Sequence, residues 1–126
     1  MMAQPLPLPD PVKLRDDFRA AYALIDLVGD CVTVEMRNKA GGYDPPFTIK
    51  AKVSGFKLEE LIAGGPARQG DLRAIARASA LPAGMRRLEA KDRVTWRGRP
   101  MAVLNYDDAT HALGGEVLGV ELWLRG

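Results

Sequence analysis

The sequence is poor in the residues that most often do chemistry. Its 126 residues include one cysteine, Cys31, and one histidine, His111. A lone thiol cannot close an internal disulfide, which fits a reducing compartment. Cys31 follows an expected helix C-terminus, where the dipole disfavours a thiolate, and reads as a buried structural cysteine. A divalent metal wants three or four convergent ligands. No spaced set of Cys, His and Asp accompanies His111, so it reads as a solvated residue of the loop Asp107-Asp108-Ala109-Thr110-His111. Charge of one sign is also lacking: 18 basic and 16 acidic side chains leave a net +2. That balance gives no general argument for nucleic acid.

No apolar run approaches the roughly 18 residues of a transmembrane helix. The first residues lack the basic and apolar regions of a signal peptide, so the expected setting is a cytoplasm. Dinucleotide-type and phosphate-loop glycine patterns are absent, and Gly41-Gly42 and Gly64-Gly65-Pro66 read as turns. Ser54 and Ser79 have no histidine partner. Glu59-Glu60 and Asp107-Asp108 are sequence neighbours, which diverge on a helix and oppose on a strand, so neither is a natural acid/base pair. No enzyme activity, metal or cofactor is expected.

What remains is an ordinary globular composition, 47% apolar and 27% charged, in a length that suits one domain. Residues 1–11 alternate proline with small or apolar residues and read as an extended arm. Its Pro5, Leu6, Pro7, Leu8 and Pro9 are candidates for docking on a neighbouring subunit. The remaining domain spans 12–126. Asp10-Pro11 caps a helix over 12–28, along which Leu14, Phe18, Tyr22 and Ile25 form an apolar stripe with helical period, ended by Gly29. Asp16-Asp17 lie near its start, where the dipole favours negative charge.

The period then changes to two. Val32, Val34 and Met36 alternate with polar residues, as do Phe47, Ile49, Ala51 and Val53, giving a hairpin around a turn-rich loop at 38–46. Residues 58–62 read either as one turn of helix or as an irregular connection. Over 72–79, alanine and arginine favour helix by propensity, and Ile75 is out of phase. Alternation and the preceding Gly70-Asp71 turn favour strand, which is the reading adopted. Further strands are expected at 92–97, 100–106 and 116–124, the last with Leu118, Val120, Leu122 and Leu124 as an inward row. One helix before six short strands predicts a mainly β fold, a small barrel or sandwich.

The order of these pieces carries a resemblance. A short amphipathic helix leads to Val32-x-Val34, then a glycine-rich loop with Tyr43-Asp44. Gln69-Gly70-Asp71 precedes a strand and Leu81-Pro82. Asp92-x-Val94-x-Trp96-x-Gly98 and Val120-x-Leu122-x-Leu124-Arg125-Gly126 follow. This resembles the head–tail connector, or head-closure (stopper), family of tailed bacteriophages, prophages and gene-transfer agents, a group that includes the head–tail joining protein of phage lambda. It covers about 13–126 and tips 72–79 toward strand. The resemblance implies a small barrel in a structural ring, often six-fold, at the virion neck. Such a ring is assembled in the host cytoplasm, lies below the portal and adaptor and above the tail terminator and tail tube, and helps retain packaged double-stranded DNA without sequence specificity. It also implies a channel or inter-subunit loop, here Asn38, Lys39, Gly41, Gly42, Tyr43 and Asp44, with the glycines lending flexibility and Tyr43 reaching a neighbour.

A tail terminator or minor tail protein is the adjacent alternative. A single-strand nucleic-acid-binding barrel is an alternative of a different class, with Arg86, Arg87, Lys91, Arg93, Arg97 and Arg99 near Trp96. Glu89 and Asp92 dilute that patch, and Trp96, in phase with Val94, reads as core.

Overall fold

A computed structural model of the protein describes residues 10–57, 60–61 and 65–126. Helix α1 spans Pro11–Ala23: Asp10 caps it by accepting a hydrogen bond from the Val12 N–H (3.0 Å), and Pro11 takes the first helical position. The expected 12–28 helix is not continuous. It tightens at Leu24, where the Leu27 N–H donates to the Leu24 carbonyl, and resumes as the single turn α2, Ile25–Val28. Gly29 ends it with extended backbone (φ −73°), so a left-handed cap is not why glycine stands there. A Cβ at Gly29 would lie 2.6 Å from the Ile25 carbonyl oxygen and 2.9 Å from that of Ala51.

The strands are β1 (Asp30–Glu35), β2 (Phe47–Gly55), β3 (Leu72–Arg77), β4 (Arg93–Trp96), β5 (Arg99–Asp107), β6 (Ala112–Leu113), β7 (Glu116–Val117) and β8 (Gly119–Arg125). Six of them close a barrel in the order β1-β2-β3-β8-β5-β4, with β4 returning to pair with β1 and every pairing antiparallel. Closure leaves these six strands no unpaired edge. β6 and β7 form a small separate hairpin turned by Gly114-Gly115, both at positive φ.

The core follows the period-two pattern. Val32 and Val34, Ile49 and Ala51, Ala74 and Ala76, Val94, Met101 and Val103, and Val120, Leu122 and Leu124 all point inward and are buried. Small residues line one wall, with Ala51 opposite Ala76, and β8 supplies Leu122 and Val120 opposite Ala74 and Ala76. β3 is therefore a strand, as alternation predicts. It ends at Arg77, and Ala78–Ala80 form a 3-10 turn where alternation alone would continue the strand.

The expected 116–124 strand is two pieces. Leu118 is buried but lies between β7 and β8, so the inward row of β8 starts at Val120. Cys31 is exposed, not buried: with Val32 inward, its neighbour must face out. The β4–β5 turn is Arg97-Gly98, both with positive φ (50° and 74°), as a two-residue hairpin turn of type I′ demands.

Two carboxylates are buried at the entry to strands. Asp71 precedes β3 and accepts hydrogen bonds from the Arg68 N–H (2.8 Å) and from Arg125 Nε and Nη2 (2.9 and 2.7 Å). Asp92 precedes β4 and accepts from the Glu89 and Arg37 N–H groups (both 2.8 Å) and both Arg86 Nη atoms (both 2.7 Å). Each carboxylate thus stitches a turn to a remote segment.

Candidate functional site: an anchored helix with two apolar faces, and the 38–46 loop

Polar contacts hold α1 and α2 to the barrel and to the β6–β7 hairpin beside it. Arg19 of α1 grips Glu116 of β7 with two hydrogen bonds, Nη2 to Oε2 at 2.6 Å and Nε to Oε1 at 3.1 Å. Asp26 of α2 pairs with Arg77 of β3 at 3.0 Å. Between them the Tyr22 hydroxyl meets Nδ1 of His111 at 2.6 Å, and His111 Nε2 lies 3.2 Å from Glu121 Oε1. The Tyr22 hydroxyl and the Glu121 carboxylate thus hold the two imidazole nitrogens from opposite sides. Trp123 Nε1 donates to the other Glu121 oxygen at 2.9 Å. Burial, with the nearby Glu121 charge, raises the pKa of Tyr22 above the usual phenol value. His111 is therefore a half-buried structural link rather than a solvated loop residue. The sequence offered no sign of its partner, which lies 89 positions away.

Glycine makes this docking possible. A Cβ on Gly119 would lie 2.5 Å from Cε1 of Tyr22, so the phenol rests directly on β8 backbone.

The apolar stripe of α1 is only half used. Ile25 is buried and Tyr22 half-buried against the barrel, but Leu14 and Phe18 stay exposed. Phe18, Ala21, Tyr22 and Ile25 wall one side of an open groove of about 290 Å³, and outward-facing Ile75 and Lys52 wall the other, with His111 at one end. The out-of-phase Ile75 is explained here: it points away from the core, onto this groove. Leu24, Leu27 and Val28 form a second apolar surface, 55%, 78% and 81% exposed. Their i, i+3, i+4 spacing puts them on one helical face, while Ile25 faces the barrel.

The 38–46 loop is folded onto itself. The Asn38 side-chain oxygen accepts from the Ala40 and Gly42 N–H groups (3.0 and 3.1 Å), and the Asn38 N–H donates to the Gly42 carbonyl (2.9 Å). Gly41 takes a left-handed φ of 89°. The glycine pair expected to lend flexibility is thus part of a hydrogen-bonded turn, with Lys39 exposed on it. The ring of Tyr43 lies within 5.0 Å of the Arg37 guanidinium and 4.8 Å of that of Arg93, and the Asp44 N–H donates to the Met36 carbonyl (2.8 Å). Tyr43 therefore closes the loop onto its own barrel.

The other residues singled out by the sequence fall apart in space or lie elsewhere. Pro5, Leu6, Pro7, Leu8 and Pro9 lie outside the described residues, as do Leu58, Glu59 and Ile62 of the 58–62 segment, read either as a helical turn or as an irregular connection. Asp107 caps its own loop through the Ala109 and Thr110 N–H groups, while Asp108 pairs with Arg87. Trp96 is half-buried at the barrel rim, its indole N–H donating to Asp30 (2.9 Å) and its ring covered by Arg97. Among the described residues no group of three or more His, Cys, Asp or Glu side chains is arranged to hold a metal, and no helix is long and apolar enough to cross a membrane. No family model, characterised protein or solved structure matches the chain.

Proposed function

We propose that the protein is a structural ring component of a tailed-phage, prophage or gene-transfer-agent particle, a head–tail connector of the stopper type. The observation that carries this reading is a closed barrel whose polar contacts fix a helix in place while apolar side chains on both sides of that helix remain in water. Exposed apolar surface of this kind marks association sites. The order of turn and strand motifs supports the particular assembly. In that role copies encircle a channel for double-stranded DNA, with the portal and adaptor above and the tail terminator and tail tube below. The 38–46 loop is the segment assigned to the channel or to a neighbouring subunit, and the near-neutral charge suits a ring that lets DNA pass without gripping it.

Removing the gene from a particle-producing strain tests the reading: particles made without the protein lose packaged DNA or fail to join tails. Normal, tailed, DNA-filled particles would refute it. The single-strand-binding alternative is less favoured, because the face of Trp96 that would stack on a base is covered by Arg97. Salt-sensitive oligonucleotide binding weakened by Trp96→Ala would restore it.

A further inference from the structure

The two apolar surfaces on α1 and α2 differ in shape, in position and in the charge beside them. Leu24, Leu27 and Val28 project as a knob. Asp17, seven residues before Leu24, shares its helical face. The other surface is the groove, apolar along Phe18, Tyr22, Ile25 and Ile75, with Lys52 at its rim and Lys50 two residues earlier on β2. Among the described residues neither Asp17 nor Lys52 has an ion-pair partner in its own chain. The groove is open along its length, a shape suited to side chains from another surface. The knob sits on α2 and its junction with α1, whereas the groove runs between α1 and the outer face of β2–β3, so they are two different surfaces of one copy.

We propose that the Leu24–Leu27–Val28 knob of one copy seats in the α1/β2–β3 groove of the next, with Asp17 of the first facing Lys52 of the second. The occupant is a second copy because the chain carries both complementary halves, apolar to apolar and acidic to basic. Such a contact joins two different patches, so it is heterologous: it propagates head to tail and closes as a ring when the rotation per copy allows. The inference rests on the ring reading above and names the surfaces that would make the ring.

The test is disulfide trapping with the full chain in a Cys31→Ser background. Copies carrying Leu27→Cys are mixed at high concentration with copies carrying Ile75→Cys and oxidised. A mixed disulfide is expected, in clear excess over a control mixture of Leu104→Cys with Ile75→Cys, since Leu104 projects from β5 on the far side of the barrel. Asp17→Lys should lower the yield, and adding Lys52→Asp to the Ile75→Cys partner should restore it. Leu27 is largely exposed, so Leu27→Glu should fold normally, checked by circular dichroism, yet weaken self-association in sedimentation by about tenfold or more. Leu104→Glu should leave association unchanged. A mixed disulfide no more abundant than the control, or association indifferent to Leu27→Glu, overturns the proposal. If trapping fails while the gene deletion still releases DNA or tails, the neck reading stands and the knob–groove contact is wrong. Trapping that succeeds while deleted particles are normal has the opposite meaning.

Discussion

The hydroxyl of Tyr22 and the imidazole of His111 meet at 2.6 Å, and this bond fastens the helix to the connection that leads into the last barrel strand. Glu121 fixes the imidazole from the other side, so the link is oriented as well as short. Tyr22→Phe keeps the ring on Gly119 but removes the hydroxyl. It should cost about 1 kcal/mol of stability, the usual net worth of one hydrogen bond. Amide exchange should quicken through α1 more than through β1 or β8. Uniform quickening across the barrel would show that the bond supports the whole fold rather than the helix.

The buried carboxylates make acid sensitivity predictable. At Asp71 the hydrogen bonds from Arg125 lower the pKa, outweighing burial. At Asp92 burial is the largest influence and opposes ionisation, but hydrogen bonds from Arg86 and from the Glu89 and Arg37 N–H groups together outweigh it, and its pKa also falls. A depressed folded-state pKa contributes stability that is full above the unfolded value, about 3.9 for aspartate, and is lost as pH drops through the folded value. Unfolding free energy should therefore fall below about pH 4. Asp92→Ala should cost about 3 kcal/mol at neutral pH, because it takes the carboxylate from Arg86 and leaves the Glu89 and Arg37 N–H groups without their acceptor, and should flatten that acid limb. Denaturant melts across pH 2–7 for both proteins would check this, an unchanged acid limb being the contrary result.

Gly29 and Gly119 are held by contact rather than by φ. The Cβ of Gly29→Ala would strike two backbone carbonyl oxygens that cannot turn aside, whereas that of Gly119→Ala would strike the movable ring of Tyr22. Both substitutions should destabilise, by roughly 1–3 kcal/mol, as overpacking does. Only Gly119→Ala should loosen α1 selectively, read by amide exchange. If Gly119→Ala left helix protection intact, Tyr22 would have to be seated differently.

Tyr43 sits between two guanidinium groups, each such contact being worth about 0.5–1 kcal/mol at an exposed site. Tyr43→Ala should open the 38–46 loop to protease while shifting the barrel's denaturation midpoint little, because the loop lies outside the core. A large midpoint shift with no new cleavage in 38–46 would count against this.

Much of the fold was legible because period-two alternation is imposed by the pleat itself. Val32 and Val34, Ala74 and Ala76, and Val120, Leu122 and Leu124 all point inward as the alternation requires. The same parity argument, carried one residue back from Val32, places Cys31 outside, so its exposure could have been found. Trp96 points toward the core as its phase with Val94 implies, but its position at the rim leaves it half-buried.

The burial of Asp71 and Asp92 was not legible, since it depends on Arg125, 54 positions away, and on backbone from the Arg37 segment. The candidate surface was harder still. The stripe Leu14–Phe18–Tyr22–Ile25 announces a helix that needs cover, but sequence does not say where the cover stops. Ile75 gave the one available signal, an aliphatic residue on the outward phase of β3.

The central claim is ring assembly at a particle neck. Its most direct measurement is electron cryomicroscopy of portal–adaptor complexes from the same genetic element, incubated with the purified protein. The expected result is a ring of barrels around the channel, six-fold as the resemblance implies, with α1 of each copy at the subunit boundary. Complexes with no added density, or with isolated copies that never encircle the channel, would contradict it.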